Sequence, residues 1–497
     1  MKRLLLYILI NMPVMMLSAS NADSTLVEHR SLWRIVDCGE RQNPALHGAA
    51  FNSSFSELAL SLDLRRQSEA FVEELGTGYT LPSLGVETFL RLSEQASVWG
   101  AASYTTGTQR EVRWNATSDF SLLQPYVLAD TLGGDTHRER YAFSGGYATH
   151  LGRWLLGAEM LFRAEQEYRD QDPRMRGVVT DLTLRLGAAG NWQCYRLGAA
   201  LEGNIYKQTN SVAFYNEEGV IPEYQMTGLG TDYKRFSGDK RSIYYEGGGA
   251  ALLLSASPED GQGLYGNLSI DEHRYHRKLA EFNSMPLTDL YNEHIGATLG
   301  WKRQSISRLA IYGRMDYTRR TGDERVVGTS DGNAYPTVAT LSMYKNRLTD
   351  LSLGALYGRG LWNVSLTAGW EDVTESYAWP KRQLDYSQVY GRLQGQLFAK
   401  VATQWQLSFN AHAAYVANVG STVVMPYANM DTSIIDMVNH KRDYAEASYT
   451  HIGATVRADY AWADTRYGLF AEVGVGLVAC TTSQHQTDFR ATIGITF

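Results

Sequence analysis

TDFRATIGITF, Thr487 to Phe497, is the stretch whose reading decides the fold. Phe489, Ala491, Ile493, Ile495 and Phe497 fall on one face of an extended strand, and Asp488, Arg490, Thr492, Gly494 and Thr496 on the other. That is the period of two of a strand with one apolar face, and it ends on an aromatic. A soluble sheet has little reason to place its most apolar strand at a frayed terminus. A barrel crossing a membrane must seal its last strand against its first and leave no edge in lipid. The stretch is therefore expected to close a barrel, with Phe497 at its periplasmic end.

Working outward, the same rule recurs. Alternating runs are centred near 55–65, 83–93, 97–106, 139–150, 154–165, 178–188, 195–206, 243–255, 263–272, 292–302, 308–318, 347–357, 361–371, 385–400, 404–416, 444–461, 466–479 and 487–497. Leu182, Leu184 and Leu186 oppose Asp181, Thr183 and Arg185, as a wall between lipid and a wet lumen requires. Leu58 to Leu64 and Gly263 to Asp271 repeat the pattern. Connections after even-numbered runs are short (Glu94 to Ala96, Leu151 to Arg153, Gly358 to Gly360, Trp462 to Thr465). Those after odd-numbered runs are generally longer: 107–138, 166–177, 207–242, 273–291, 319–346, 372–384 and 417–443. Trp154, Tyr195, Trp301, Tyr357, Trp362, Trp405, Tyr460, Trp462 and Tyr467 lie beside the short turns, where amphipathic rings favour a membrane interface; Tyr104, Tyr206, Tyr244, Tyr291 and Tyr317 lie at the opposite ends. A secreted propeller or sandwich would alternate too, but has no reason for loops of two kinds. The expectation is an all-β, transmembrane antiparallel β-barrel of about 18 strands (16–18), with short periplasmic turns and long extracellular loops, in the outer membrane of a Gram-negative bacterium.

The totals agree. Lys2 and Arg3 precede an apolar run from Leu4 to Leu17 and small residues to Ala22, so residues 1–22 read as a signal peptide. Residues 23–52 do not alternate and are expected to be an N-terminal periplasmic or lumenal segment, with Ser31 to Cys38 a short helix or strand and Gln42 to Leu46 a turn; the barrel follows over 53–497. After residue 22 no apolar run is long enough for a membrane helix. The 31 Tyr, 11 Trp and 46 Gly suit curved strands at an interface, and a net charge of −7 gives no basic field for nucleic acid. Cys38, Cys194 and Cys480 are too few and too far apart for a zinc site or a disulfide framework.

The inward faces carry both signs of charge. Glu159, Arg163, Asp181, Arg185, Glu202, Arg314, Asp316, Arg392, Arg457, Glu472 and Arg490 are expected to line the lumen, with Glu87 and Arg91 beside them. Such charges set selectivity in a channel. Mixed signs on adjacent strands equally suit cross-strand pairing, and for most of these residues that ladder role is the expected one. His412 and His451 are expected at similar heights on neighbouring strands, with Asn410, Glu472 and Arg490 nearby. Imidazole and carboxylate hold transition metals, although an inward histidine is more often a satisfied polar residue. Asp271, Glu272, His273 and His276 form a second group, with the chemistry to bind a cation but expected as a solvated loop root. No convincing nucleophile and base pair is evident, so neither catalysis nor a cofactor is expected. The loop Ala417 to Arg442 is unusually apolar and is expected to pack on its neighbours, the alternatives being that it folds inward as a plug or meets a partner.

In its signal peptide, Tyr-rich alternating strands and terminal Phe497, the chain resembles the large uncharacterised outer-membrane barrels of Bacteroidota. Ile493, Ile495 and Phe497 resemble the C-terminal signal that the bacterial outer-membrane assembly machinery recognises. Asn43-Pro44-Ala45 looks like a tripeptide of the long-chain fatty-acid transporters, whose N-terminal segment blocks the barrel. The TonB-dependent transporters carry a globular plug domain before a larger barrel, whereas only Asp23 to Asn52 precedes the first strand here, so energised transport by this chain alone is not expected. The expected function is a passive channel or uptake porin for a small solute, occluded by residues 23–52 and a folded-in loop. The alternative is a barrel that binds a ligand or partner through its outer loops, as accessory to another transporter. Its expected partners are membrane lipids and lipopolysaccharide, the assembly machinery, and another outer-membrane transporter or a lipoprotein.

Overall fold

The computed structural model describes residues 24–216, 223–233, 242–280, 283–332, 334–426, 432–462 and 467–497. The expected signal peptide, the turn over 463–465 and short stretches of the expected outer loops, Met430 among them, lie outside these residues. The barrel strands are β1 (Phe55–Gln67), β2 (Gly78–Arg91), β3 (Ala96–Val112), β4 (Gly134–Leu151), β5 (Trp154–Tyr168), β6 (Arg174–Trp192), β7 (Tyr195–Ala213), β8 (Ser242–Pro258) and β9 (Gln262–Leu279). They continue as β10 (Met285–Gln304), β11 (Ser307–Val327), β12 (Thr337–Arg359), β13 (Trp362–Tyr377), β14 (Arg382–Lys400), β15 (Trp405–Val424), β16 (Tyr449–Ala461), β17 (Gly468–Cys480) and β18 (His485–Thr496). Each pairs antiparallel with the next in one 18-stranded sheet.

The sheet closes where the terminal alternation demands. β18 pairs with β17 on one side and with β1 on the other, running from Glu57 opposite Thr496 to Gln67 opposite Gln486. Phe497 completes the seam, donating its N–H to the Ser56 carbonyl at 3.0 Å and accepting from the Ser56 N–H at 3.2 Å. No edge is left unpaired, the condition for a sheet in hydrocarbon.

The outer surface shows what solvent the barrel was built for. Leu353 is 73% exposed, Leu299 68%, Leu186 65% and Leu201 64%, and Leu60, Leu84, Phe143, Leu366, Val475 and Ile493 continue the band around the wall. Leaving one such side chain in water forgoes roughly 1.5–3 kcal/mol, so a whole belt requires lipid. Trp154, Trp301, Trp362, Trp405 and Tyr467 are exposed on its periplasmic side, and Tyr357 and Trp362 pair across a turn with ring centroids 5.3 Å apart. Tyr206 departs from the expected interface set: it is 1% exposed and faces the lumen. Among the described residues no helix is long and apolar enough to cross a membrane.

Expected and observed strands match one to one, but most observed strands run further outward. The run expected at 347–357 is Thr337–Arg359, and the loops expected at 166–177 and 372–384 shrink to 169–173 and 378–381. Alternation weakens once a strand leaves lipid, because both of its faces then meet water or loop. The run expected from residue 444 begins instead at Tyr449, since Thr432–Ala445 is a helix.

Both ends of the barrel are filled. In the periplasmic half lie α1 (Ser24–Arg30), a 3₁₀ turn (Leu32–Ile35), α2 (Cys38–Arg41) and α3 (Pro44–Gly48). The stretch expected as a turn at 42–46 is thus helical: Asn43 caps α3 by accepting from the Ala45 N–H at 3.0 Å, and Pro44, whose missing N–H costs nothing there, follows the cap. At the outer mouth, the 113–133 loop with α4 (Phe120–Leu123) meets a small three-stranded sheet (Leu128–Ala129, Tyr224–Gly228, Thr231–Asp232) and α5 (Thr432–Ala445). Trp114, Leu123, Tyr126, Met226, Ile434, Met437 and Val438 bury one another against inward residues such as Val179, Ile243 and Leu279. The described apolar residues of the 417–442 stretch therefore pack on their neighbours, and together they cap the lumen.

Candidate functional site

The lumen is the site, and its floor is made by glycines. A Cβ on Gly187 would lie 2.0 Å from Asn43 Oδ1, one on Gly157 2.4 Å from the Ala45 nitrogen, and one on Gly198 2.7 Å from Leu46 Cδ1. α3 can approach the wall only because these side chains are absent, and Asn43 Nδ2 then donates to the Ala188 carbonyl at 3.3 Å. Ala45 and Leu46 pack on Leu155 and Ala189, Trp33 and Val36 on Tyr265, Tyr312 and Leu356, and Phe51 on Phe89, Trp99 and Ala148.

Ion pairs complete the attachment. Arg30 Nη2 donates to both oxygens of Glu57 at 2.7 Å, and Nη1 reaches Glu472 at 3.4 Å. Lys302, almost fully buried, binds Asp37 at 3.1 Å and Glu40 at 3.2 Å. His29 stacks on Phe51 with centroids 3.9 Å apart, and the His47 ring lies 4.7 Å from that of Trp99. Burial, aided by the charges of Arg41 and Arg34, pulls His47 down to about 4. Burial also lowers His29. Both are neutral at pH 7.

Between plug and cap the lumen holds cavities of about 550, 750 and 590 Å³. The expected lumen charges face inward, and nearly all are tied into ladders. Arg185 bridges Glu202 and Glu159, the latter at 3.3 Å, while Glu159 also accepts from Trp99 Nε1 at 2.8 Å. Arg163 holds Asp181 at 3.2 Å, and Arg314 binds Asp316 at 2.7 Å. Arg457 holds Asp459 at 2.8 Å and lies 3.6 Å above the Phe470 ring; Arg490 pairs with Asp63 across the seam. Arg392 makes no ion pair among the described residues.

His412 Nε2 and His451 Nε2 stand 3.3 Å apart. The structure thus brings these two together, without Glu472 or Arg490, which are engaged elsewhere. In the second group, Asp271 binds His294 at 2.8 Å and His273 at 3.6 Å, while His276 pairs with Asp289. Asp271, His273 and His276 are thus each paired, while Glu272 is exposed. Among the described residues no cluster of three or more His, Cys, Asp or Glu is arranged for a metal. Cys194 and Cys480 are free thiols.

Several site residues carry no sequence signal. Asp119, from a loop expected outside, descends to Arg163 at 2.7 Å and to the Tyr206 hydroxyl at 2.8 Å. Arg169 and Asp130, both 1% exposed, pair at 2.9 Å within the cap. Arg277, equally buried, donates to the Met226 and Val127 carbonyls at 3.0 Å each, joining two loops. Arg30, Glu57 and His294 carry no sequence signal either, because their partners lie on other strands or segments.

A closed 18-stranded barrel with an apolar outer belt, filled at both ends, is a transmembrane β-barrel of the outer-membrane class. Within that class the chain belongs to a family of unknown function (DUF6850), whose match spans residues 44–497. No curated protein matches it. Among solved structures it is similar to a mutant ferric enterobactin receptor (PfeA) of Pseudomonas aeruginosa, with a TM-score of 0.40, 10% identity, and 89% of this chain and 80% of that one covered. It is also similar to the ferric preacinetobactin receptor BauA of Acinetobacter baumannii, with a TM-score of 0.45, 9% identity and coverage of 90% and 80%.

Proposed function

We propose that the chain is an uptake channel for a small polar solute, held shut by its own N-terminal segment. The observation that carries this reading is the seating of α1 to α3 inside the barrel on a glycine floor and a few ion pairs, Arg30 with Glu57 and Lys302 with Asp37 and Glu40. Such an attachment is specific in shape yet contains no covalent link among the described residues, so it can be released as a unit. The cavities beyond it are lined by carboxylates, guanidinium groups, amides and tyrosine hydroxyls, which suit a hydrated or hydroxylated solute better than an acyl chain. In this reading the chain is a conduit and not an enzyme. Lipid and lipopolysaccharide contact its belt, and the assembly machinery reads Ile493, Ile495 and Phe497.

Planar-bilayer recording tests the proposal. The full-length protein is expected to conduct rarely, and a variant lacking residues 24–52 to show long-lived openings. Silence of both would overturn it.

The apolar cap supports a second reading, an accessory barrel that presents α5 and the neighbouring loops to a ligand or partner. In that case deletion of 24–52 leaves the recording silent, and deletion of 432–445 abolishes partner capture.

A further inference from the structure

We infer that His412 and His451 form a two-imidazole site on the lumen wall for a transition-metal ion that arrives partly chelated. Two nitrogens bound to one ion at about 2.0–2.1 Å lie roughly 2.9 Å apart in neighbouring positions of a square or octahedral set and roughly 3.3 Å apart in a tetrahedral one. The two Nε2 atoms already stand at 3.3 Å, with the rings inclined at 70°.

The wall is cut away to permit this. His412 projects from β15 and leans across Gly453 of β16, where a Cβ would lie 2.5 Å from His412 Cε1 and 2.9 Å from its Nε2. On the far side, a Cβ at Gly476 of β17 would lie 3.8 Å from His451 Nε2 and 3.6 Å from Asp488 Oδ2. Two glycines on adjacent strands thus leave a hollow beside the imidazoles, with one carboxylate at its rim. Asp488 is held there by Arg65 and Gln486, each at 2.7 Å.

The charges around the pair decide what kind of ion it takes. Arg392 on β14, Arg65 on β1 and Asp488 on β18 face it, two cations against one anion. A bare divalent cation meets net repulsion there, while a metal whose charge is already offset by a carboxylate-bearing chelator does not. Imidazole favours copper, nickel and zinc, and only two protein nitrogens are in place, so the remaining positions belong to the chelator. Gln394 and Ala414, which stand opposite His412 and His451 in the β14–β15 and β15–β16 ladders, line the 590 Å³ cavity, which gives that chelator room. The site does not depend on the channel reading, since binding is measured without transport.

The test uses tag-free, full-length protein in detergent with Cu²⁺-nitrilotriacetate as probe. Titration and electron paramagnetic resonance are expected to show one bound ion with two added nitrogen couplings. His412→Ala and His451→Ala should each weaken binding at least 10-fold and remove one coupling. Gly453→Ala, which keeps both ligands but displaces the His412 ring, should weaken it as well, with the folded barrel verified by its heat-modifiable gel mobility. Unchanged binding in the double histidine variant, or no binding by the wild type, would overturn the proposal and leave the pair as an imidazole hydrogen bond within the wall.

Discussion

Arg30 Nη2 donates to both carboxylate oxygens of Glu57, a bond from the N-terminal segment to the first barrel strand, 27 residues away in the chain. Glu57 is also within 3.4 Å of Arg457, so removing Arg30 leaves the carboxylate with a partner, whereas removing Glu57 takes a partner from two cations at once, leaving Arg30 with Glu472 and Arg457 with Asp459. Charged hydrogen bonds contribute about 1.5–3 kcal/mol, reduced here by the partial exposure of Arg30. Arg30→Ala is expected to raise the open time in bilayers several-fold. Glu57→Ala should raise it further and also lower the melting temperature.

The glycine floor supplies a steric test. Gly187→Val or Gly157→Val places carbon where Asn43 Oδ1 and the Ala45 backbone sit, and neither backbone nor cap can yield cheaply. Both glycines lie within strands, where valine is favoured, so the barrel itself should tolerate the change. The expected outcome is a folded barrel whose residues 24–52 become sensitive to protease.

Acid should loosen the plug. His47 is held near 4 and His29 is also lowered, against 6.5 for a free imidazole, so the docked segment binds fewer protons than the released one. The stabilisation is complete above about pH 6.5 and is lost as pH falls toward the docked value. From His47 alone the loss is on the order of 1–2 kcal/mol by pH 5. Open probability should rise between pH 7 and pH 5, and His47→Phe should flatten most of that rise.

In the cap, Arg169 and Asp130 are both buried, and Arg169 also donates to the Asn115 and Pro173 carbonyls at 3.3 Å. Removing one partner of a buried pair costs roughly 3–5 kcal/mol. Asp130→Ala is therefore expected to make the 113–133 loop cleavable by protease without altering the plug. Equal cleavage in wild type and variant would show that the cap is not held by this pair.

The strands were legible because lipid enforces a period of two, and the closing strand most of all, since Phe489 to Phe497 had to face lipid on one side. What filled the barrel was not legible. Asp119 and Tyr206 meet across 87 positions, and nothing local marks either as inward. Gly157 and Gly187 look like ordinary barrel glycines until Asn43 and Ala45 are placed over them. The outer strand ends carry no clear period because alternation fades beyond the membrane, and α5 carries no clear helical signal because its apolar residues lie in a loop-like context. The histidine pair was found because His412 and His451 share both face and height on adjacent strands.

The seam between β1 and β18 has one more implication. It joins Asp63 to Arg490, 427 positions apart, and bringing such distant segments together costs about 5 kcal/mol of chain entropy before any ladder bond repays it. Closure must therefore come last in the folding order. The segment that seats on Gly157 and Gly187 precedes β1 in the chain, so it is made before the cylinder exists to receive it. It must either wait inside the curling sheet while the seam zips, or slide in afterwards from the periplasmic end. The protein is thus synthesised stopper first.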